Sequence, residues 1–173
     1  SILTCKFRKK GTENEYFLAW TTTAWTLYSN VAIMVHPDLT YIWAKMLSGV
    51  HEGCVFCVAE GAADRVLGAG NYEIVRKETG KELENQEYET IFPEANVPEG
   101  NRFKVICGDF VVDTDGTGLV HSAPAIGEDD YVTGQKYDIV LRGILQCFLD
   151  GRTLLTTSIV LLLVCPRTLV IVI

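Results

Sequence analysis

Gly116-Thr117-Gly118-Leu119-Val120-His121-Ser122-Ala123-Pro124-Ala125-Ile126-Gly127-Glu128-Asp129-Asp130-Tyr131 runs from a tight turn through an apolar strand into a Pro/Gly loop that carries carboxylates. Leu119, Val120 and His121 form the predicted buried strand. A helix is predicted over 128–137, with acidic residues in its first turn, where the helix dipole favours them, and Lys136 in its last. On a strand His121 and Ser122 point to opposite faces, so they do not make a nucleophile–base dyad. Gly116 and Gly118 lack the third glycine of a dinucleotide loop, and strand follows them rather than helix. Glu128, Asp129 and Asp130 admit a divalent-cation site, a clamp for a ligand ammonium, or plain stabilisation of a helix start. Adjacent Asp129 and Asp130 point to different sides of a helical turn and rarely share one ion.

Upstream lies Trp20-Thr21-Thr22-Thr23-Ala24-Trp25-Thr26-Leu27-Tyr28-Ser29-Asn30, which sets hydroxyls between two indoles. Threonines favour strands, and Trp20 and Trp25 could simply pack in a core. On an extended segment, three consecutive threonines place hydroxyls on both faces, so at least one lines a cavity or joins a backbone network. Taken together, the two stretches describe a pocket with polar walls and one anionic corner. It would suit a ligand bearing hydroxyls and an ammonium group.

Outside these stretches, strands are predicted at 16–20, 31–35, 41–46, 55–58, 103–106 and 110–112. Residues 59–67 suggest a short helix ending at Gly68 and Gly70. The polar stretch 77–89, anchored only by Leu83 and Tyr88, suggests a surface excursion, and 92–101, with two prolines, a loop. No internal repeat is present.

The 173 residues allow one domain with an appendage. Hydrophobic residues at 48% and charged residues at 21% indicate a globular chain, not a disordered one. A net charge of -7 argues against gripping nucleic acid over a large surface. Lys6, Arg8, Lys9 and Lys10 are the one basic cluster, expected to solvate a turn. Six scattered cysteines are too few for a disulfide scaffold and fit reduced thiols in a cytoplasmic protein. No metal site is expected: His51, Cys54 and Cys57 have ligand-like spacing but no partner pair, and the two cysteines would face opposite sides of a strand. No charged-then-apolar leader opens the sequence, so secretion is not indicated.

Residues 141–173 form an atypical apolar tail without regular period, interrupted by Pro166 and Arg167. It is long enough to span a bilayer, although an Arg inside hydrocarbon is costly. A membrane anchor, a core strand pair and an aberrant terminus from a truncated or misread gene compete, and the last is preferred.

The two motifs resemble isoleucyl-tRNA synthetase. Trp20-Thr21-Thr22-Thr23-x-Trp25-Thr26-Leu27-x-Ser29-Asn30, followed by an apolar strand and Pro37-Asp38, is similar to that family's threonine-rich segment. Gly116-Thr117-Gly118-x-Val120-His121-x-Ala123-Pro124-x-x-Gly127-x-x-Asp130-Tyr131 is similar to the second signature of its editing domain. Leucyl and valyl enzymes typically carry Thr-Arg-Pro in the first segment. The resemblance covers residues 1–140, an incomplete editing domain. It departs from the family at Ala24 and Tyr28, where proline is usual, and fades after Val140. No His-Ile-Gly-His-like or Lys-Met-Ser-Lys-Ser-like segment is present, so neither ATP-driven activation nor aminoacylation is expected.

The resemblance implies an α+β domain: β-rich, built on a strongly curved sheet or barrel with short peripheral helices. It implies hydrolysis of the ester in mischarged valyl-tRNA for isoleucine. One missing methylene is worth only about 1–3 kcal/mol of binding, a limit for which this family is itself the usual illustration, with a second sieve as the remedy. By the same resemblance Asp130 would bind the α-ammonium of the misattached amino acid, and His121 would be the wall that sets the size limit. Thr21, Thr22, Thr23 and Thr26 would contact the terminal adenosine or position the attacking water, with Asn30 and Trp25 on the substrate side. Implied partners are the acceptor end of charged tRNA and the catalytic domain of a parent synthetase, with no stable membrane partner. ATP and magnesium would serve that catalytic domain, and no cofactor is expected here. The alternatives are an inactive truncated fragment acting at most as a binding module, or a protein tethered to a membrane by its tail.

Overall fold

Strands β1 (Leu3–Arg8) and β2 (Glu15–Thr21) pair antiparallel, Leu3 opposite Thr21 and Arg8 opposite Tyr16. The computed structural model describes residues 2–93, 97, 99–124 and 128–139, and the backbone of 171 and 172. The far edge of β2 is divided between two neighbours. Glu15, Tyr16 and Phe17 pair in parallel with β5 (Val55–Ala59), whereas Trp20 pairs in parallel with Val120 of β8 (Leu119–Ser122). One branch continues through β4 (Thr40–Met46) to β6 (Tyr72–Thr79), both contacts antiparallel. The other continues through β3 (Ala32–Val35), antiparallel to β8, to β7 (Lys104–Cys107), parallel to β3. A short β9 (Ile171–Val172) pairs with Leu3 and Thr4. A sheet whose branches diverge from one strand curls around its contents, giving a half-barrel with few short helices.

The inner lining holds Phe7, Phe17, Tyr41, Trp43, Ile33, Val105 and Leu119, with Phe17 and Trp43 edge-to-face at 5.1 Å. Behind β4 and β5, Leu18, Ile42, Ala44, Phe56 and Val58 pack with Ala63 and Leu67 from a helical segment. That segment is a 3₁₀ turn (Glu60–Ala62) and a π turn (Asp64–Gly68), where a short helix was expected. Because both faces of β4 are covered, its sequence is apolar without alternation apart from the exposed Lys45.

The expected strands at 16–20, 31–35, 41–46, 55–58, 103–106 and 119–121 all form. Residues 110–112 do not: Val111 is buried in a turn while Phe110 and Val112 are exposed. The polar stretch from 77 is no excursion either. It begins inside β6, an edge strand whose charges roof the core. Arg76 lies 4.2 Å from the centre of the Trp43 ring and grips Glu15 with two bonds of 2.6 and 2.8 Å. Helix α1 (Gly80–Leu83) follows, opened by a reciprocal cap between Thr79 and Glu82. The basic cluster is also recast: Lys6 and Arg8 are outward residues of β1, and Arg8 and Lys10 pair with Glu89 and Glu87.

Helix α2 (Glu128–Lys136) forms as expected. The tail from 141 lies outside the described residues, apart from the backbone of 171 and 172. Among described residues, no helix is long and apolar enough to cross a membrane.

Candidate functional site

Because β2 and β8 run parallel, the segments leaving their C-terminal ends emerge on the same edge of the sheet. The threonine run leaves β2 and the carboxylate loop leaves β8. This register is clamped by the Gly-Thr-Gly turn. Thr117 donates its hydroxyl to Leu18 O at 2.5 Å, and Tyr41 donates to Gly118 O at 2.8 Å. Arg65 holds the carbonyls of Asp113 and Gly116 at 3.0 and 2.9 Å. Both glycines have positive φ, and neither has room for a side chain. A Cβ on Gly116 would lie 2.3 Å from the Trp20 indole, and one on Gly118 2.3 Å from Ala59 Cβ. The motif's glycines and threonine thus act on the fold.

The threonines do not stay extended. Thr21 ends β2, and its Oγ1 accepts from Thr23 N at 3.1 Å, bending the chain at once. A 3₁₀ segment (Ala24–Ser29) follows. Ala24 fills its first helical position, where a proline ring would fit, and the turn forms without one. The bend sends hydroxyls to one side rather than both. Thr21 and Thr23 Oγ1 lie 3.2 Å apart and Thr23 and Thr26 Oγ1 3.1 Å apart, while Thr22 is exposed. Thr26 Oγ1 meets His121 Nε2 at 2.9 Å, joining the two motifs across 95 positions. The side chain of Trp25 lies outside what the structure describes.

Behind the imidazole sits Asn30. Its Nδ2 donates to Ala32 O and to His121 Nδ1, both at 2.9 Å, and its Oδ1 accepts from Tyr88 OH at 2.6 Å. The Ala32 carbonyl can only accept, so the amide nitrogen must face it. Nδ1 therefore carries a lone pair and Nε2 the proton. Thr26 accepts that proton and donates its own to Thr23 O at 2.7 Å. The hydroxyls of Thr21 and Thr23 must then donate in sequence towards Thr26. His121 is 5% exposed, and burial holds its pKa down to about 4, so it is neutral at physiological pH. With Nδ1 occupied and Nε2 protonated, it offers no base. Ser122 lies on the other face of β8, its buried hydroxyl without a partner among the described residues.

Asp130 stands in the first turn of α2. Its Oδ2 accepts from Ala123 N at 2.9 Å, two residues beyond His121. Burial pushes its pKa up, the Ala123 N–H opposes this, and nearby Asp129 adds to the rise. No cation pairs with it among the described residues. Asp129 and Glu128 instead border a separate groove of about 710 Å³ with Lys81 and Lys136. A second groove, about 970 Å³, lies by Lys6, Arg8 and Arg102. Neither takes in the threonines. Among the described residues no group of three or more His, Cys, Asp or Glu side chains is gathered as for a metal.

Sequence reasoning placed Thr21, Thr23, Thr26, Asn30 and His121 at one site, and the structure joins them in one network. Asp130 is attached to it through the backbone of Ala123, just beyond β8, and Thr22 stands outside it. Tyr88, expected only as a hydrophobic anchor, was missed as a member; nothing local in the sequence ties it to Asn30.

The chain is 46% identical over 136 residues to the isoleucine–tRNA ligase of Clostridium novyi, a match covering 79% of this chain and 12% of that protein. Isoleucine–tRNA ligase 2 of Bacillus thuringiensis subsp. konkukian is 50% identical over 128 residues, 74% of this chain and 12% of the relative. The chain is homologous to one segment of isoleucine–tRNA ligase. It spans about 12% of the length of these curated relatives. No family model matches it. In fold it is similar to the editing domain of the P. knowlesi cytosolic leucyl-tRNA synthetase, with a TM-score of 0.62 and 13% identity over 78% of this chain and 62% of that one. This homologue of isoleucine–tRNA ligase therefore has the half-barrel of a synthetase editing domain.

Proposed function

We propose that this chain hydrolyses the ester joining valine to the terminal ribose of an isoleucine tRNA. The single observation that carries the reading is the joining of the two motifs, Thr26 to His121, at the edge where Asp130 also binds Ala123 N. Asp130 is a partly buried carboxylate with no cation beside it among the described residues, and one N–H bond keeps an oxygen oriented. An α-ammonium would supply the missing charge through a charge-assisted hydrogen bond. His121, neutral and rigidly held, is suited to act as a wall against the amino-acid side chain. The threonines would hold the ribose or the water.

In the reaction, water oxygen bonds to the ester carbonyl carbon and the bond from that carbon to the ribose oxygen breaks. The proton lost by water goes to the departing ribose oxygen, giving valine and deacylated tRNA. With His121 unable to accept a proton, positioning of water with help from the ribose hydroxyl is the source of rate. The proposed chemistry takes no cofactor. The partners would be the tRNA acceptor end and a parent catalytic domain, and the place of action the cytoplasm. The homology, the editing-domain fold and the uncharged hydroxyl network support this reading.

Asp130→Asn keeps an oxygen for Ala123 N but removes the charge. It should abolish deacylation of valyl-tRNA while leaving the thermal melt nearly unchanged. Hydrolysis at the wild-type rate would reject the assignment. His121→Ala should admit isoleucyl-tRNA to hydrolysis; unchanged discrimination would remove the size-gate role.

A further inference from the structure

Tyr88 belongs to neither motif, yet its hydroxyl ends the buried chain that runs through Asn30 to His121 and the threonines. It is 2% exposed, wedged edge-on against Phe7 and Phe103 at 5.2 and 5.9 Å, and its backbone N–H is bonded to Phe103 O at 3.0 Å. The ring therefore cannot move to follow Asn30; Asn30 must conform to it. Burial also raises the phenol's pKa well above its ordinary value, so the hydroxyl keeps its proton at neutral pH.

We propose that Tyr88 is a positioning residue for the hydrolytic site: with the Ala32 carbonyl, it fixes the Asn30 amide in one orientation and so presents His121 only as the Nε2–H tautomer. The inference rests on the proposed deacylation for its consequence in rate, but not for the tautomer itself. Were the amide reversed, Oδ1 would confront the Ala32 carbonyl and accept a proton from Nδ1. Nε2 would then take the Thr26 proton, and Thr23 O would lose its bond. The direction of every hydroxyl from Thr26 back to Thr21 would be released. Two groups oppose this: the Ala32 carbonyl, which accepts from Nδ2, and the Tyr88 phenol, whose buried proton would lose its Oδ1 acceptor even if its oxygen then accepted from Nδ2. The phenol and the imidazole are the titratable members of this hydrogen-bonded run, and neither is charged near neutral pH.

The test uses this chain with ¹⁵N-labelled histidine. The His121 ring should show an unprotonated Nδ1 and a protonated Nε2 from pH 6 upward. Tyr88→Phe keeps the packing ring but leaves Oδ1 without a donor, and the second tautomer should appear. Asn30→Asp replaces the donor facing Nδ1 by an acceptor and should move the proton there. A wild-type ring in the Nδ1–H form, or a Tyr88→Phe spectrum identical to the wild type, overturns the proposal. In valyl-tRNA deacylation, Tyr88→Phe should lower kcat up to about tenfold, the value of one hydrogen bond, with KM little changed. In a His121→Ala background the same change should cost less than about twofold, because a residue acting through His121 has nothing left to position. An equal loss in both backgrounds would mark Tyr88 as merely structural and refute the role. If the wild type does not deacylate valyl-tRNA, the functional reading fails while the ring spectra still decide the lock.

Discussion

His121 should make this fold acid-sensitive in a defined window. Its folded pKa is about 4 against an ordinary value of 6.5. The unfolded chain therefore binds a proton that the folded chain refuses as pH falls through 6.5, and folding free energy is lost progressively as pH falls through about 4, levelling off below it. Above pH 6.5 the contribution is fully present. At 1.36 kcal/mol per unit, the depression corresponds to about 2 kcal/mol at pH 5 and about 3 kcal/mol at pH 4. The side chain is 5% exposed, so solvent screening does not reduce this much. His121→Gln removes the titration and keeps a polar side chain. Urea unfolding of both proteins at pH 7.5, 6 and 5 should show the wild-type advantage shrinking by about 2 kcal/mol over that range. His51 and Asp130 also have shifted pKa values, but they are present in both proteins and cancel in the difference. A difference in stability that stays constant from pH 7.5 to pH 5 would refute the neutral, walled-in imidazole.

Gly118→Ala should destabilise the fold by about 3 kcal/mol, because the new methyl meets Ala59 and the backbone must hold positive φ; thermal melting checks it. Arg76→Lys loses the two-pronged grip on Glu15 and the stack on Trp43 and should cost about 1 kcal/mol, read from the urea midpoint.

The legible parts of the sequence were those with local chemistry. The glycines of Gly116-Thr117-Gly118 announced a tight turn, and the acidic first turn of α2 announced a helix start. A mostly apolar, aromatic-rich run marked β4, broken only by Lys45, and an unbroken apolar run marked β5. By contrast, β6 carries charges because its side chains cover Trp43 from an edge, a tertiary role with no local signature. β1 alternates Cys5 and Phe7 inward with Lys6 and Arg8 outward, a period of two that the basic cluster obscured. Phe110-Val111-Val112 looked like a strand because it is apolar, yet only Val111 finds the core. In the site, residue types were readable but not conformation. The three threonines suggested an extended segment, and the self-bonding of Thr21 to Thr23 turned it into a bend. Tyr88 lies 58 positions from Asn30, and no spacing rule reaches that far.

The bond between Thr26 and His121 spans 95 positions, and the strands beneath it meet only where Trp20 faces Val120. A chain emerging from a ribosome at about 5–20 residues per second exposes the threonine arm several seconds before its imidazole exists. The hairpin of β1 and β2 can close early, since its contacts are local, but it must then wait with one edge open. Trapping a nascent chain stalled before position 119 should find that hairpin folded and its open edge available to chaperones.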